Sequence, residues 1–323
     1  MAERPRVLLT RRLPDDLEAS LAELVTITRR DTDEPPDEEE LLGLLPGHDA
    51  VICMLTEPMT EAVLEAGAKT GLQLISQVAV GLDNIALDAA RAHGVIVTHT
   101  PGVLTDATAD LTMALLLTAA RRLPEANRFV REARWSSWSL DLMTGLELRG
   151  AQLGIVGLGR IGQAVARRAR AFGMTIAYSG PRRRSLDVEH ELGARHLDLG
   201  ELLRSSDVTS LHAPLTPETR GLLSADRLRQ MKRGAILVNT ARGGLVDEAA
   251  LSHALDEGPL AFAALDVFAD EPLVHPDLID RQDVFLVPHI GSATRRTRHR
   301  MAEMATQAVI DWTQGVSPTH RAL

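Results

Sequence analysis

Three side chains in the C-terminal half could move protons and hold charge together: Arg242, Glu271 and His289. Each follows an apolar run, in AILVNTARGG, AALDVFADEP and VFLVPHIGSAT, and open α/β sheets bind ligands outside the carboxyl ends of their strands. A guanidinium forks onto a carboxylate. An imidazole gives and takes protons near neutrality, and a carboxylate beside it favours the charged form. A cation for the carboxylate, an acid for the carbonyl oxygen and a group to keep that acid charged are what reduction of a 2-oxo acid requires. Each residue also has a plainer reading. His289 is one of eleven histidines, and Arg242 could simply cap a helix.

Such a reduction needs a hydride, and the glycine run Gly157-Leu158-Gly159-Arg160-Ile161-Gly162 indicates its carrier. A GxGxxG run alone is weak evidence. Here it follows the apolar stretch LGIV and opens the helical QAVARRARAFG, the context of a dinucleotide fingerprint. Gly157 would permit the turn, Gly159 would let a pyrophosphate approach the backbone, and Gly162 would allow the helix to pack closely on the strand. Arg160 either adds a cation to the diphosphate or is a solvated helix-start residue. About 20 residues on, where NAD enzymes place an acidic residue, this chain reads Tyr178-Ser179-Gly180-Pro181-Arg182-Arg183-Arg184. A hydroxyl among guanidinium groups suits a 2′-phosphate. NADP(H) is therefore the expected cofactor, NAD(H) remaining possible, with Ser179, Arg182 and Arg183 as readers; the alternative is that one or two of these arginines are only solvated.

The elements that must position these groups alternate along the chain. RVLLT, VTITR, DAVICML, LQLISQV and VIVTHT read as strands separated by helices, and Asp37 before EEELL reads as a helix N-terminus rather than an acidic tail. A helix over about Thr105 to Arg122 leads into RFVREARWSSWSLDLMTGLEL, read as a connector between domains. Alternation resumes at Ala151 with AQLGIVG, TIAYSG, DVTSLHA, AILVNT, AALDVF and VFLVPHI, and a long helix closes the chain. The expectation is an α/β protein with two doubly wound parallel-sheet domains of Rossmann or flavodoxin type and a cleft between them. Residues 1–100 with 290–323 form the substrate-binding domain, and 101–289 the NADP-binding one.

Bulk properties agree. At 323 residues two domains are expected, and 45% hydrophobic with 24% charged residues is globular composition. A formal net charge of −9 opposes binding to nucleic acid. One cysteine, Cys53, cannot close an intramolecular disulfide, the N-terminal run lacks a secretory pattern and no apolar stretch is long enough to span a bilayer, so a cytoplasmic protein without membrane attachment is expected. No metal-ligand motif appears.

The ordered motifs VGLDNI, GVIVTHTPGVLTDATAD, GIVGLGRIGQAVA, NTARGGLVDEAAL, ALDVFADEP and PHIGSAT resemble the D-isomer-specific 2-hydroxyacid dehydrogenase family over nearly the whole chain. Within it, RRLPEA, RWSSW, the YSG turn and PHIGSATRRTR are similar to glyoxylate/hydroxypyruvate reductases. The resemblance implies that Arg242 binds the substrate carboxylate, that His289 is the acid in reduction and the base in oxidation, and that Glu271 supports it. It implies carboxylate contacts from the N–H groups of Val80 and Gly81, contact of Ser292 with the reacting oxygen, and shaping of the substrate pocket by Leu55 and loop 78–81. Thr105, Leu158, Ile161, Pro214, Thr240, Ala241 and Gly291 join the cofactor site. Asp266 either lies near the nicotinamide or is chiefly structural. His212 lines the cofactor through its backbone and is not catalytic. Trp138 is expected to reach the active site of a second copy in a homodimer; Trp135 and Trp138 would otherwise simply pack on the other lobe or on another subunit. Leu140 to Met143 depart from the tryptophan-rich reductase pattern, which leaves pocket size open. Competing readings are a D-3-phosphoglycerate dehydrogenase, disfavoured without an added regulatory domain, phosphite or formate oxidation, and a dinucleotide-sensing binding protein of the same fold.

Overall fold

The computed structural model describes residues 4–323, and the chain divides into two compact units, Met1–Leu104 with Ala293–Leu323, and Thr105–Ser292. The first unit runs β1 (Arg6–Leu9), α1 (Asp15–Ala22), β2 (Thr26–Arg29), α2 (Glu38–Leu44), β3 (Ala50–Cys53), α3 (Glu61–Lys69), β4 (Leu74–Gln77), α4 (Leu87–Ala92) and β5 (Ile96–Thr98). Its five parallel strands lie in the order β2-β1-β3-β4-β5, a doubly wound arrangement with its switch between β1 and β3. The inner strands Ala50–Cys53 and Leu74–Gln77 are wholly buried because helices cover both faces of the sheet, while edge strand β2 has no buried residue. Asp37 caps α2, its carboxylate accepting from Glu40 N–H at 2.8 Å. The closing helix, Arg295–Thr313, returns to this unit, where Ser76 Oγ donates to Ala305 O at 2.8 Å.

The second unit comprises α5 (Thr105–Ala120), α6 (Leu123–Arg131), β6 (Gln152–Val156), α7 (Arg160–Ala171), β7 (Thr175–Ser179), α8 (Leu186–Leu192), β8 (Ala194–His196), α9 (Leu199–Ser205), β9 (Val208–Leu211), α10 (Ala225–Arg229), β10 (Ala235–Asn239), α11 (Glu248–Asp256), β11 (Leu260–Leu265), α12 (Pro276–Ile279) and β12 (Val284–Leu286). Seven parallel strands order as β12-β11-β10-β9-β6-β7-β8. This is the Rossmann order with one strand added at an edge, and its switch lies between β6 and β9. α5 and α7 lie against each other, tied by Arg168 to Asp106 and Asp110.

One expectation needs correction. The stretch after Arg122 is not a connector between units, because residues 105–292 all belong to one of them. It begins within a further helix, α6. Arg122 turns to φ 51, in the left-handed region that ends α5, and Pro124 in the first turn starts α6. None of α6 is buried.

Candidate active site

The glycine turn sits at the switch point of the large sheet. Gly157 has φ +94, and a Cβ there would stand 2.8 Å from the His212–Ala213 backbone that follows β9. A Cβ on Gly162 would lie 2.4 Å from Gly157 O, so the helix packs on the turn only through glycine. At Gly159 a Cβ would meet nothing within 4 Å. That open space adjoins the N-terminus of α7, which no side chain caps. Unpaired N–H donors facing space fit a diphosphate. Leu158 is buried beneath the turn, and Arg160 is exposed on the first helical residue.

Across the switch point His212 Nε2 pairs with Ser210 Oγ at 2.8 Å while its Nδ1 is buried without a partner. Burial holds its pKa down to about 3, so the ring stays neutral at physiological pH and is unsuited to acid–base work. Thr240, after β10, pairs with Thr112 of α5 at 2.8 Å.

The three chemical residues come together on turns after β10, β11 and β12. His289 Nδ1 lies 2.8 Å from Glu271 Oε2, both side chains about a quarter exposed. Phe268 N–H donates to the other Glu271 oxygen at 3.0 Å. Burial raises the Glu271 pKa, but the hydrogen bond and charge of His289, with help from Phe268 N–H and Arg242, outweigh it and hold the carboxyl below its usual range. Arg242 is placed by Asn239, whose side chain donates to Arg242 O at 2.9 Å and accepts from Ala241 N–H at 3.0 Å. His289 itself adopts φ 50, a left-handed conformation that costs a non-glycine residue on the order of 1–3 kcal/mol.

Asp266 stabilises that turn. Its buried carboxylate accepts from Ile290 N–H at 2.6 Å and Gly291 N–H at 2.8 Å, while its carbonyl accepts from His289 N–H at 2.9 Å. Burial pushes its pKa up, against those N–H donors. A Cβ on Gly291 would stand 3.1 Å from Asp266 Oδ2. Asp266 therefore shapes the backbone carrying His289.

In the first unit the loop 78–81 is oriented by its carbonyls. Ala79 O accepts from Thr100 N–H at 2.8 Å, Val80 O meets His99 Nδ1 at 3.0 Å, and Gly81 O accepts from Gln77 Nε2 at 3.2 Å. In a trans peptide the C=O of one residue and the N–H of the next point oppositely. Tying the Ala79 and Val80 carbonyls thus turns the N–H groups of Val80 and Gly81 the other way, as donors to an anion would be. Leu55 lies on the loop after β3, held by Asn84 Nδ2 donating to Met54 O and Glu57 O at 3.2 and 2.8 Å.

Residues 113–291 match the model of the D-isomer specific 2-hydroxyacid dehydrogenase, NAD binding domain. A glyoxylate reductase of Aeropyrum pernix is 47% identical over 323 aligned positions, covering 98% of this chain and 95% of that protein. The chain belongs to the D-isomer-specific 2-hydroxyacid dehydrogenases. Among solved members of the family, a glyoxylate reductase from Paecilomyes thermophila superimposes with TM-score 0.90 at 31% identity, covering 100% of this chain and 99% of that one. An NADPH-dependent glyoxylate/hydroxypyruvate reductase of Sinorhizobium meliloti, in complex with NADP and malonate, gives 0.87 at 31% identity, covering 99% and 97%.

Within this dehydrogenase the second unit gathers Arg242, Glu271, His289, Asp266, Gly291 and Ser292 after β10, β11 and β12, and the glycine run with His212 and Pro214 at the switch point. Leu55, Val80 and Gly81 belong to the first unit, while Thr105 begins α5. Trp138 lies on the exposed stretch after α6, 73% exposed. Sequence reasoning missed Asn239, although an asparagine closing a strand is a known backbone-binding turn signal. It also missed Glu189, which pairs with Arg183 at 2.8 Å; nothing local marks that contact. Among the described residues no group of three or more His, Cys, Asp or Glu could hold a metal ion, and no helix is long and apolar enough to cross a membrane.

Proposed function

We propose that this chain reduces glyoxylate or hydroxypyruvate to the D-2-hydroxy acid, using NADP(H) in preference to NAD(H). The observation that carries the reading is the Glu271–His289 pair at 2.8 Å, set beside the Arg242 turn at the carboxyl ends of neighbouring strands. With Nδ1 facing Glu271, Nε2 is the atom left to give a proton to the carbonyl oxygen. In the second unit Arg242 holds the substrate carboxylate and Ser292 is a further substrate contact; in the first unit the N–H groups of Val80 and Gly81, with Leu55, are the proposed substrate contacts. A bound nicotinamide supplies the hydride. The diphosphate is held by Gly157 to Gly162, and the rest of the cofactor by Thr105, Pro214, Thr240, Ala241 and Gly291. Glyoxylate reductase relatives support the substrate class, and the Ser179–Arg184 segment supports the 2′-phosphate.

We assign the dinucleotide to the second unit, place the protein in the cytoplasm, and propose a homodimer. Leu123, Val130, Trp135, Trp138, Leu140 and Leu142 are all exposed along one stretch, the kind of surface that assembly covers; in the dimer Trp138 would enter the partner's site. The test is steady-state oxidation of NADPH and of NADH with glyoxylate and with hydroxypyruvate. Turnover that prefers NADPH is expected. Cofactor binding with no turnover of either acid would favour a dinucleotide-sensing protein instead.

A further inference from the structure

The loop from Gly180 to Ser185 joins β7 to α8, and residues 181–187 are all exposed. A loop of that kind ordinarily moves. This one is fastened from beneath by two buried side chains. Tyr178 O–H donates to Glu189 Oε1 at 2.7 Å, and Arg184 N–H donates to the same hydroxyl, Tyr178 Oη, at 2.7 Å. Arg183 forks onto the same carboxylate, Nε to Oε1 at 2.9 Å and Nη2 to Oε2 at 2.8 Å. The Arg183 guanidinium, then the Tyr178 hydroxyl, hold the Glu189 carboxyl at about 2. At the other end of the loop His196 Nε2 lies 3.5 Å from Gly180 O, and its ring stands edge-on to Tyr178 with centroids 5.0 Å apart.

A carboxylate under a loop meant for a phosphate is repulsive unless it is neutralised, and a buried one is costly unless fully hydrogen-bonded. Both conditions are met here by Arg183. Its guanidinium is thereby committed to Glu189, which leaves Ser179 and Arg182 for the ligand. We propose that Tyr178, Glu189 and Arg183 form a latch that positions the Gly180–Ser185 loop for the 2′-phosphate of NADP(H), with Arg183 acting as a strut rather than as a reader of the phosphate. The proposal rests on the NADP(H) reading above and assigns Arg183 a different part within it. Binding is tighter when the binding loop is ordered beforehand, because less conformational freedom is lost on contact. Only the 2′-phosphate should sense the latch, since NADH presents no charge there.

The experiment compares wild type with Tyr178→Phe, Glu189→Gln and Arg183→Lys. It measures kcat/KM for NADPH and NADH with glyoxylate, the affinity for 2′,5′-ADP and 5′-AMP by calorimetry, and the thermal melt of each variant. Wild type should prefer NADPH and bind 2′,5′-ADP more tightly than 5′-AMP. Tyr178→Phe and Glu189→Gln should each lower kcat/KM for NADPH and affinity for 2′,5′-ADP about tenfold, the loss expected for about one good hydrogen bond, with NADH kinetics and 5′-AMP affinity unchanged. Arg183→Lys keeps the charge and loses the fork, so it should resemble Glu189→Gln. Folded variants with an unaltered NADPH-to-NADH ratio would overturn the latch. So would a Glu189→Gln protein that binds 2′,5′-ADP more tightly, because the released Arg183 would then be reading the phosphate itself. A wild type indifferent to the 2′-phosphate would instead sink the NADP(H) reading, and the latch with it.

Discussion

The turns after β10, β11 and β12 and the stretch from Leu123 to Leu142 belong to one unit and use their side chains in opposite ways. At the turns, polar groups have partners already: Glu271 holds His289 and Phe268 N–H, Asp266 holds two N–H groups, and Asn239 braces Arg242. One residue, His289, even accepts a left-handed backbone. Along the stretch, apolar groups stand in water, Leu140 at 86% exposure. Strain together with satisfied polarity marks a place organised for chemistry. Exposed apolar surface marks a place organised for assembly.

Substitutions can break that contrast in decreasing order of effect. Arg242→Ala should cost most after His289 itself, about 2–4 kcal/mol of transition-state binding, or roughly 30- to 1,000-fold in kcat/KM, with cofactor affinity retained. If the loss were under about twofold, Arg242 would be a structural cap and not the carboxylate cation. Glu271→Gln should lower kcat/KM about 10- to 100-fold, the worth of a hydrogen bond to a charged group. A kcat/KM unchanged by the substitution would mean that Glu271 only props the turn.

On the assembly side, Leu123→Glu combined with Val130→Asp should shift sedimentation velocity toward monomer while leaving the melt of the second unit's fold within a few degrees, as surface changes usually do. A double variant that stays dimeric would place the interface elsewhere. The smallest effect concerns the Glu189 carboxyl, whose pKa falls from 4.5 to about 2. A depressed carboxylate contributes stability above its unfolded value and loses it as pH falls through the folded one. The difference in melting temperature between wild type and Glu189→Gln should therefore be flat above pH 4.5 and shrink as pH drops toward 2. A gap that widened on acidification would contradict the ion pair.

Much of this was legible in the residues, and unevenly. Gly157 and Gly162 are readable because each solves a local problem, a positive φ and a Cβ clash, that no other residue solves. Arg242, Glu271 and His289 are readable because apolar runs announce strand ends. The three-residue strand Ala194–His196 carries too little periodicity to show; the end of the helix near Arg122 was readable, but not the second helix, Leu123–Arg131, that restarts after a left-handed arginine. The contacts of Asp266 with Ile290 and Gly291 join positions 24 and 25 residues apart, which no local pattern shows. The contact of Glu189 with Tyr178 spans 11 positions and follows from how α8 returns along β7, which only the fold decides.

The central claim is that His289, held by Glu271, delivers the proton. Single-turnover oxidation of bound NADPH by glyoxylate, compared between wild type and His289→Ala, tests it directly, with NADPH affinity measured in parallel. The account predicts a loss of about 10²- to 10⁴-fold in the rate at unchanged NADPH affinity. A variant that turns over within about tenfold of wild type, too small a loss for a missing general acid, would contradict it and move the proton donor elsewhere.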